Sequence, residues 1–154
     1  MDDALSREVA PHWMTDKTLS NIRGYIEVND VQACEDFFQY NRKDTDRDAN
    51  RWLRGELKRM INQGVEVERL YDLLKRTYLL TAPDVFEDYM IYLEWDRPIK
   101  ERFYLPRQKV LGKLVAELQK LADGELDELF LSQPPRTGKT SMMLFFMTWL
   151  IGRD

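Results

Sequence analysis

The chain is poor in the residues that build staples, metal sites and membrane spans, and each scarcity removes a class of function. With one cysteine it has no internal disulfide, and Cys34 reads as a small buried apolar residue suited to a reducing compartment. The single histidine, His12, reads as a surface residue near the terminus, and no cluster of Cys, His, Asp and Glu has metal-ligand spacing. Positive charge is not in excess either. The formal net charge is -4 and the pI about 5.2, so no overall field draws the chain to nucleic acid or an anionic membrane, and any DNA contact must be local. No apolar run reaches the ~18 residues of a membrane span. The opening M-D-D-A-L-S-R-E is acidic where a secretory signal is basic and then apolar. These absences predict a protein that is neither exported nor membrane-spanning.

What is present is mostly helix-forming material, and at 154 residues with 44% hydrophobic composition there is enough of it for a core. Over residues 16–40, Leu19, Ile22, Ile26, Val31, Cys34, Phe37 and Phe38 recur at three- and four-residue steps, the stripe of one amphipathic helix or two. The polar run 41–50 predicts a loop and the solvated start of the next helix. Residues 51–63 repeat the stripe and end at Gly64, where a left-handed cap is wanted. Residues 67–80 form another broad apolar face. Thr81, Pro83 and Asp84 then predict a capped helix start that runs to about Trp95. Pro98 and Pro106 bracket an extended connection, and 107–121 carries the most regular stripe of all, closed by Asp123 and Gly124.

The last stretch changes character. Residues 128–132, E-L-F-L-S, form a short apolar run between charge and Pro134-Pro135, which predicts a buried parallel strand. From Lys139 a helix follows that is apolar on nearly every face, so it needs cover from further structure and should leave apolar surface bare without it. Between strand and helix stands Q-P-P-R-T-G-K-T. Gly138, Lys139 and Thr140 match the phosphate-loop pattern of a glycine, four residues and Gly-Lys-Ser/Thr, while Gln133 occupies the first glycine's place. A loop between strand and helix aims backbone N–H groups and the positive helix end at an anion. Gln133, Pro134, Pro135, Arg136, Thr137, Gly138, Lys139, Thr140 and Ser141 are therefore the candidate ATP-binding residues. Lys139 would neutralise the β- and γ-phosphates and the Thr140 hydroxyl would ligate Mg²⁺. Arg136 either leans over the γ-phosphate, reaches a neighbouring subunit's nucleotide, or pairs at the loop surface.

Upstream, Tyr104, Arg107 and Gln108 offer an aromatic ring and an amide that could hold adenine. Residues 90–94, M-I-Y-L-E, mimic a metal-holding acidic strand, but they precede the loop and follow a helix start, so they read as core packing. Arg102, Arg107, Lys109, Lys113 and Lys120 make the region before the loop locally basic, by default a solvated face. The predicted fold is mainly α: a helical leader over 1–105, then over 106–154 the first strand, phosphate loop and helix of an incomplete α/β ATPase core.

The segment R-F-Y-L-P-R-Q-K-V-L, an amphipathic helix, and then L-D-E-L-F-L-S-Q-P-P-R-T-G-K-T-S together resemble the large terminase subunit of tailed bacteriophages, over residues 84–154. In that family a helical leader precedes a P-loop ATPase and an RNase H-like nuclease follows, and the whole cuts concatemeric DNA and pumps it into a procapsid. The resemblance implies ATP and Mg²⁺ as cofactors. It also implies double-stranded DNA, the small terminase subunit and the portal as partners, a homo-oligomeric ring, and the host bacterial cytoplasm as location. Tyr104, Arg107 and Gln108 match its adenine-contacting segment, and 133–140 its degenerate phosphate loop, where the first glycine is commonly replaced. The family's acidic strand and nuclease carboxylates have no counterpart in these residues, so the chain alone is expected neither to hydrolyse ATP nor to cut DNA. The other reading is a helical interaction module, up to Pro106, that docks the motor to small terminase or portal without activity of its own. A self-contained kinase would need more chain after the loop.

Overall fold

The structure, a computed structural model, describes residues 12–43 and 46–153, and it is mainly α. The acidic opening at 1–8 and positions 44–45 of the predicted loop lie outside the described residues. Two compact units are present, Met1–Thr77 and Tyr78–Asp154, and the change from leader to ATPase core expected at residue 106 lies inside the second.

In the first unit α1 (His12–Thr15), α2 (Lys17–Glu27), α3 (Val31–Asn41) and α4 (Arg47–Asn62) pack with the start of α5 (Val67–Thr81). The stripe read over 16–40 is two helices because Asn29 takes a left-handed conformation, φ 68°, between them. Aspartates open the helices: Asp16, Asp30 and Asp46 each accept hydrogen bonds from first-turn N–H groups. Asn41 braces the last of these, its amide donating to the Asp46 carbonyl at 3.1 Å and its carbonyl accepting from the Asp46 N–H at 3.3 Å. The core is mainly aliphatic, with Ile26, Leu53, Leu57 and Met60 buried, and beside it Trp13, Phe37 and the half-buried Trp52 have ring centroids 5.2 to 5.8 Å apart. Gly64 is left-handed, φ 78°, at the close of α4 as predicted.

Cys34 is fully buried with its sulfur 3.8 Å from that of Met60. Burial, reinforced by the nearby Asp30 and Glu56 charges, pushes its thiol from 9.0 up to about 11. At pH 8 the buried group therefore carries about a hundredfold less thiolate than a solvated cysteine. A thiol-reactive disulfide reagent at that pH is expected to label Cys34 only after denaturation, and fast labelling of the folded chain would contradict this burial.

The second unit begins with the end of α5 and contains α6 (Phe86–Leu93), two 3₁₀ turns at Ile99–Glu101 and Leu105–Arg107, α7 (Gln108–Ala122) and α8 (Lys139–Arg153). Thr81 does not cap α6, because α5 runs on to include it. Its hydroxyl bonds Asp88, and the amide of Phe86 is satisfied from α7, where Gln119 Oε1 accepts it at 2.8 Å. Trp149 of α8 is the centre of this core, in ring contact with Phe86 and Phe146 and donating its indole N–H to the Ala82 carbonyl at 2.8 Å.

The strand expected over 128–132 is absent: among the described residues no strand is formed, and Phe130 is 91% exposed. A strand is defined by a ladder to a neighbour, and the rest of the unit is helix and turn, so the segment stays extended and unpaired. The first strand and α/β core are therefore not part of the observed fold. The prediction for α8 is met on one side only: Met142, Phe146 and Trp149 are buried, whereas Leu144, Met147 and Ile151 are 66%, 60% and 76% exposed. No helix among the described residues is long and apolar enough to cross a membrane.

Candidate functional site

The loop before α8 bends through two left-handed residues, Arg136 at φ 64° and Gly138 at φ 87°, and passes straight into the helix at Lys139. The first intrahelical bond runs from the Met142 N–H to the Gly138 carbonyl, 2.9 Å. The N–H groups of the preceding turn thus have no helical carbonyl to meet, and the positive end of the helix dipole lies among them. Thr137 ties the loop to itself, its hydroxyl donating to the Pro134 carbonyl at 2.9 Å and to Gln133 Oε1 at 3.2 Å. Gln133, Pro134, Pro135, Arg136, Gly138, Lys139, Thr140 and Ser141 line an open cavity of about 420 Å³, and Arg136, Lys139, Thr140 and Ser141 are exposed. One ammonium, one guanidinium, two hydroxyls and a helix N-terminus form a donor set that fits a phosphate tail. Thr140 is the second residue of α8 and lines this cavity. Among the described residues no group of three or more His, Cys, Asp and Glu could hold a metal ion by itself.

The second segment singled out in the sequence comes to the same loop, through a residue that sequence reasoning passed over. Phe103 lies so close to Gly138 that a Cβ built there would fall 2.6 Å from its Cε2. Residues far apart in the chain are thereby joined at one place. Arg107 lies over the Phe103 ring, 5.5 Å from its centre, and donates to the Phe103 carbonyl at 2.9 Å. Gln108 donates to Glu87 Oε1 at 2.9 Å, and both Arg107 and Gln108 are exposed.

Tyr104 is placed differently. It is fully buried, and its hydroxyl donates to Glu87 Oε1 at 2.6 Å. Burial, and then that bond to a carboxylate, hold the phenol well above its ordinary pKa, so it stays a protonated donor. Stacking on adenine needs an open ring face, which this arrangement does not give Tyr104.

Residues 90–93 close α6 and Glu94 is its C-terminal cap, with Met90, Ile91 and Glu94 buried, so the run packs in the core as read and forms no strand. Glu94, at 2% exposure, accepts the N–H groups of Phe103 at 2.7 Å and Tyr104 at 3.1 Å. It anchors the segment that reaches the loop. Arg102 likewise leaves the basic face assigned to it, buried at 7% exposure and donating to the carbonyls of Trp95 and Arg97. Lys109, Lys113 and Lys120 remain exposed on α7, and Lys120 pairs with Glu117 at 3.0 Å. The sequence signal for Glu94 and Phe103 was weak, since a lone acid and a lone aromatic carry no spacing pattern. Compared with protein-family models, with curated proteins and with solved structures, the chain matches none.

Proposed function

We propose that the loop 133–141 holds the triphosphate of Mg²⁺-ATP, and that the chain is part of an ATP-driven motor of the kind that packages double-stranded DNA into viral procapsids. The observation that carries the first half is the turn itself: two left-handed residues deliver the chain into the N-terminus of α8 with Lys139 and Thr140 at its mouth. In this reading Lys139 sets a positive charge against the β- and γ-phosphates, backbone N–H groups of the first helical turn take the oxygens, and Thr140 supplies a metal ligand. Arg136, exposed on the left-handed corner, stands over the outer phosphate. Arg107 and Gln108 are the groups left to face a base. When bound, Mg²⁺ would neutralise charge on the phosphates, while the residues present would bind and orient them.

The packaging half rests on the terminase resemblance of residues 84–154, and with it come the α/β core in which 128–132 would be a strand, the bacterial host cytoplasm, the ring assembly, and DNA, small terminase and portal as partners. The test is titration of a fluorescent ATP analogue with Mg²⁺ into the whole chain and into Lys139→Ala. Loss of the phosphate-facing charge is expected to weaken binding by at least tenfold, the scale of one charge-assisted contact. Equal affinities for the two proteins would remove the phosphate-loop reading, and retention of small terminase by the variant would then favour the docking module.

A further inference from the structure

Resting on the reading of 133–141 as a phosphate loop, we infer that Phe103 is a positioning residue for it: its ring wedges Gly138 into the left-handed turn that aims the first amides of α8. The ring is held from several directions. Phe145 stacks on it at 5.8 Å with planes 22° apart, Arg107 lies over it at 5.5 Å, and the backbone N–H of Phe103 donates to the buried Glu94 at 2.7 Å. Against Gly138 it leaves no room: a Cβ there would lie 2.6 Å from Cε2 and 2.9 Å from Cζ. Glycine is thus required twice over, by a φ of 87° and by a ring that fills the side-chain position.

The consequence is pre-organisation. A loop free to sample other turns loses affinity in proportion to the time spent away from the binding form. Because Phe145 belongs to α8, the wedge couples the helix that receives phosphate to the segment held by Glu94. The ring acts through Gly138 and need not touch the nucleotide.

Phe103→Leu removes the ring atoms that meet Gly138 and keeps an apolar side chain in place. By NMR-detected exchange on the nucleotide-free chain, the Met142 amide, which donates to the Gly138 carbonyl, is expected to exchange about tenfold faster in Phe103→Leu. The amides of Leu114 and Val115 on α7 should not change. Affinity for the fluorescent ATP analogue should fall about tenfold as well. Gly138→Ala should weaken binding much less in the Phe103→Leu background than alone, because the steric part of its cost is gone. Should Phe103→Leu not fold, Phe145→Leu withdraws the support behind the ring and is expected to act in the same direction. Unchanged Met142 exchange, or acceleration spread evenly over the second unit, overturns the wedge. If Met142 responds while the unaltered chain binds no nucleotide, the phosphate reading falls and the wedge stands.

Discussion

Replacing Trp149 by alanine is expected to lower the stability of the second unit by about 3–5 kcal/mol, the range for deleting a large aromatic from a core. The side chain is 2% exposed, meets Phe86 at 5.2 Å and Phe146 at 6.1 Å, and is covered by the Arg153 guanidinium at 4.5 Å. Its loss also strips the Ala82 carbonyl of the indole donor. Trp149→Phe separates the two parts, keeping most of the apolar area while costing about 1–2 kcal/mol for the unpaired carbonyl. Leu144→Ala is the control on the same helix, and at 66% exposure it should stay within about 0.5 kcal/mol of the parent. Urea unfolding followed by far-UV circular dichroism measures all three. A loss below about 1 kcal/mol for Trp149→Ala would mean that α8 is not packed as described.

Glu94→Ala should be nearly as damaging, by about 2–5 kcal/mol, for an electrostatic reason. The carboxylate sits at the C-terminal end of α6, where the helix dipole opposes negative charge. It persists there because two N–H groups, those of Phe103 and Tyr104, point at it from 2.7 and 3.1 Å and Arg97 lies 3.6 Å away. Deleting the acceptor leaves the buried Tyr104 N–H and the part-buried Phe103 N–H without their partner, which costs about 1–3 kcal/mol for the first and about 1–2 kcal/mol for the second. Glu94→Gln retains one acceptor oxygen and should lose about half as much. Arg97→Ala is expected to cost less than about 1 kcal/mol, because the guanidinium is 62% exposed and its pair is screened. The amides of Phe103 and Tyr104 should lose exchange protection in Glu94→Ala and keep it in Arg97→Ala. Protection retained in both would show that another group holds the segment.

The helices were legible because their signal is local. Leu53, Leu57 and Met60 fall on one face by spacing alone, and all three are buried. Gly64 marked a stop for the same reason, since only its own conformation was at issue. Where a choice depended on residues distant in the chain, sequence pattern failed. Thr81 looked like a cap, but α5 runs on to include it and the first amide of α6, that of Phe86, is met by Gln119 from another helix. Arg102 looked like surface charge until two carbonyls from the preceding turns claimed it. Residues 128–132 have the composition of a strand, yet pairing is a property of two segments and no composition supplies the second. The start of α8 after Gly138 was readable, whereas the aromatic behind that glycine was not, because no motif records which ring lies against a glycine.

The extended run at 128–132 shapes how the chain behaves in company. Rows of peptide groups without a ladder, with Phe130 in full view of solvent, are what intermolecular sheet growth feeds on. The run opens on Glu128 and is hemmed by Glu125 and Asp127 on one side and by Pro134 and Pro135 on the other. Acid repels an incoming edge and proline denies it a donor, so the sticky window is kept short by gatekeepers written into its own borders.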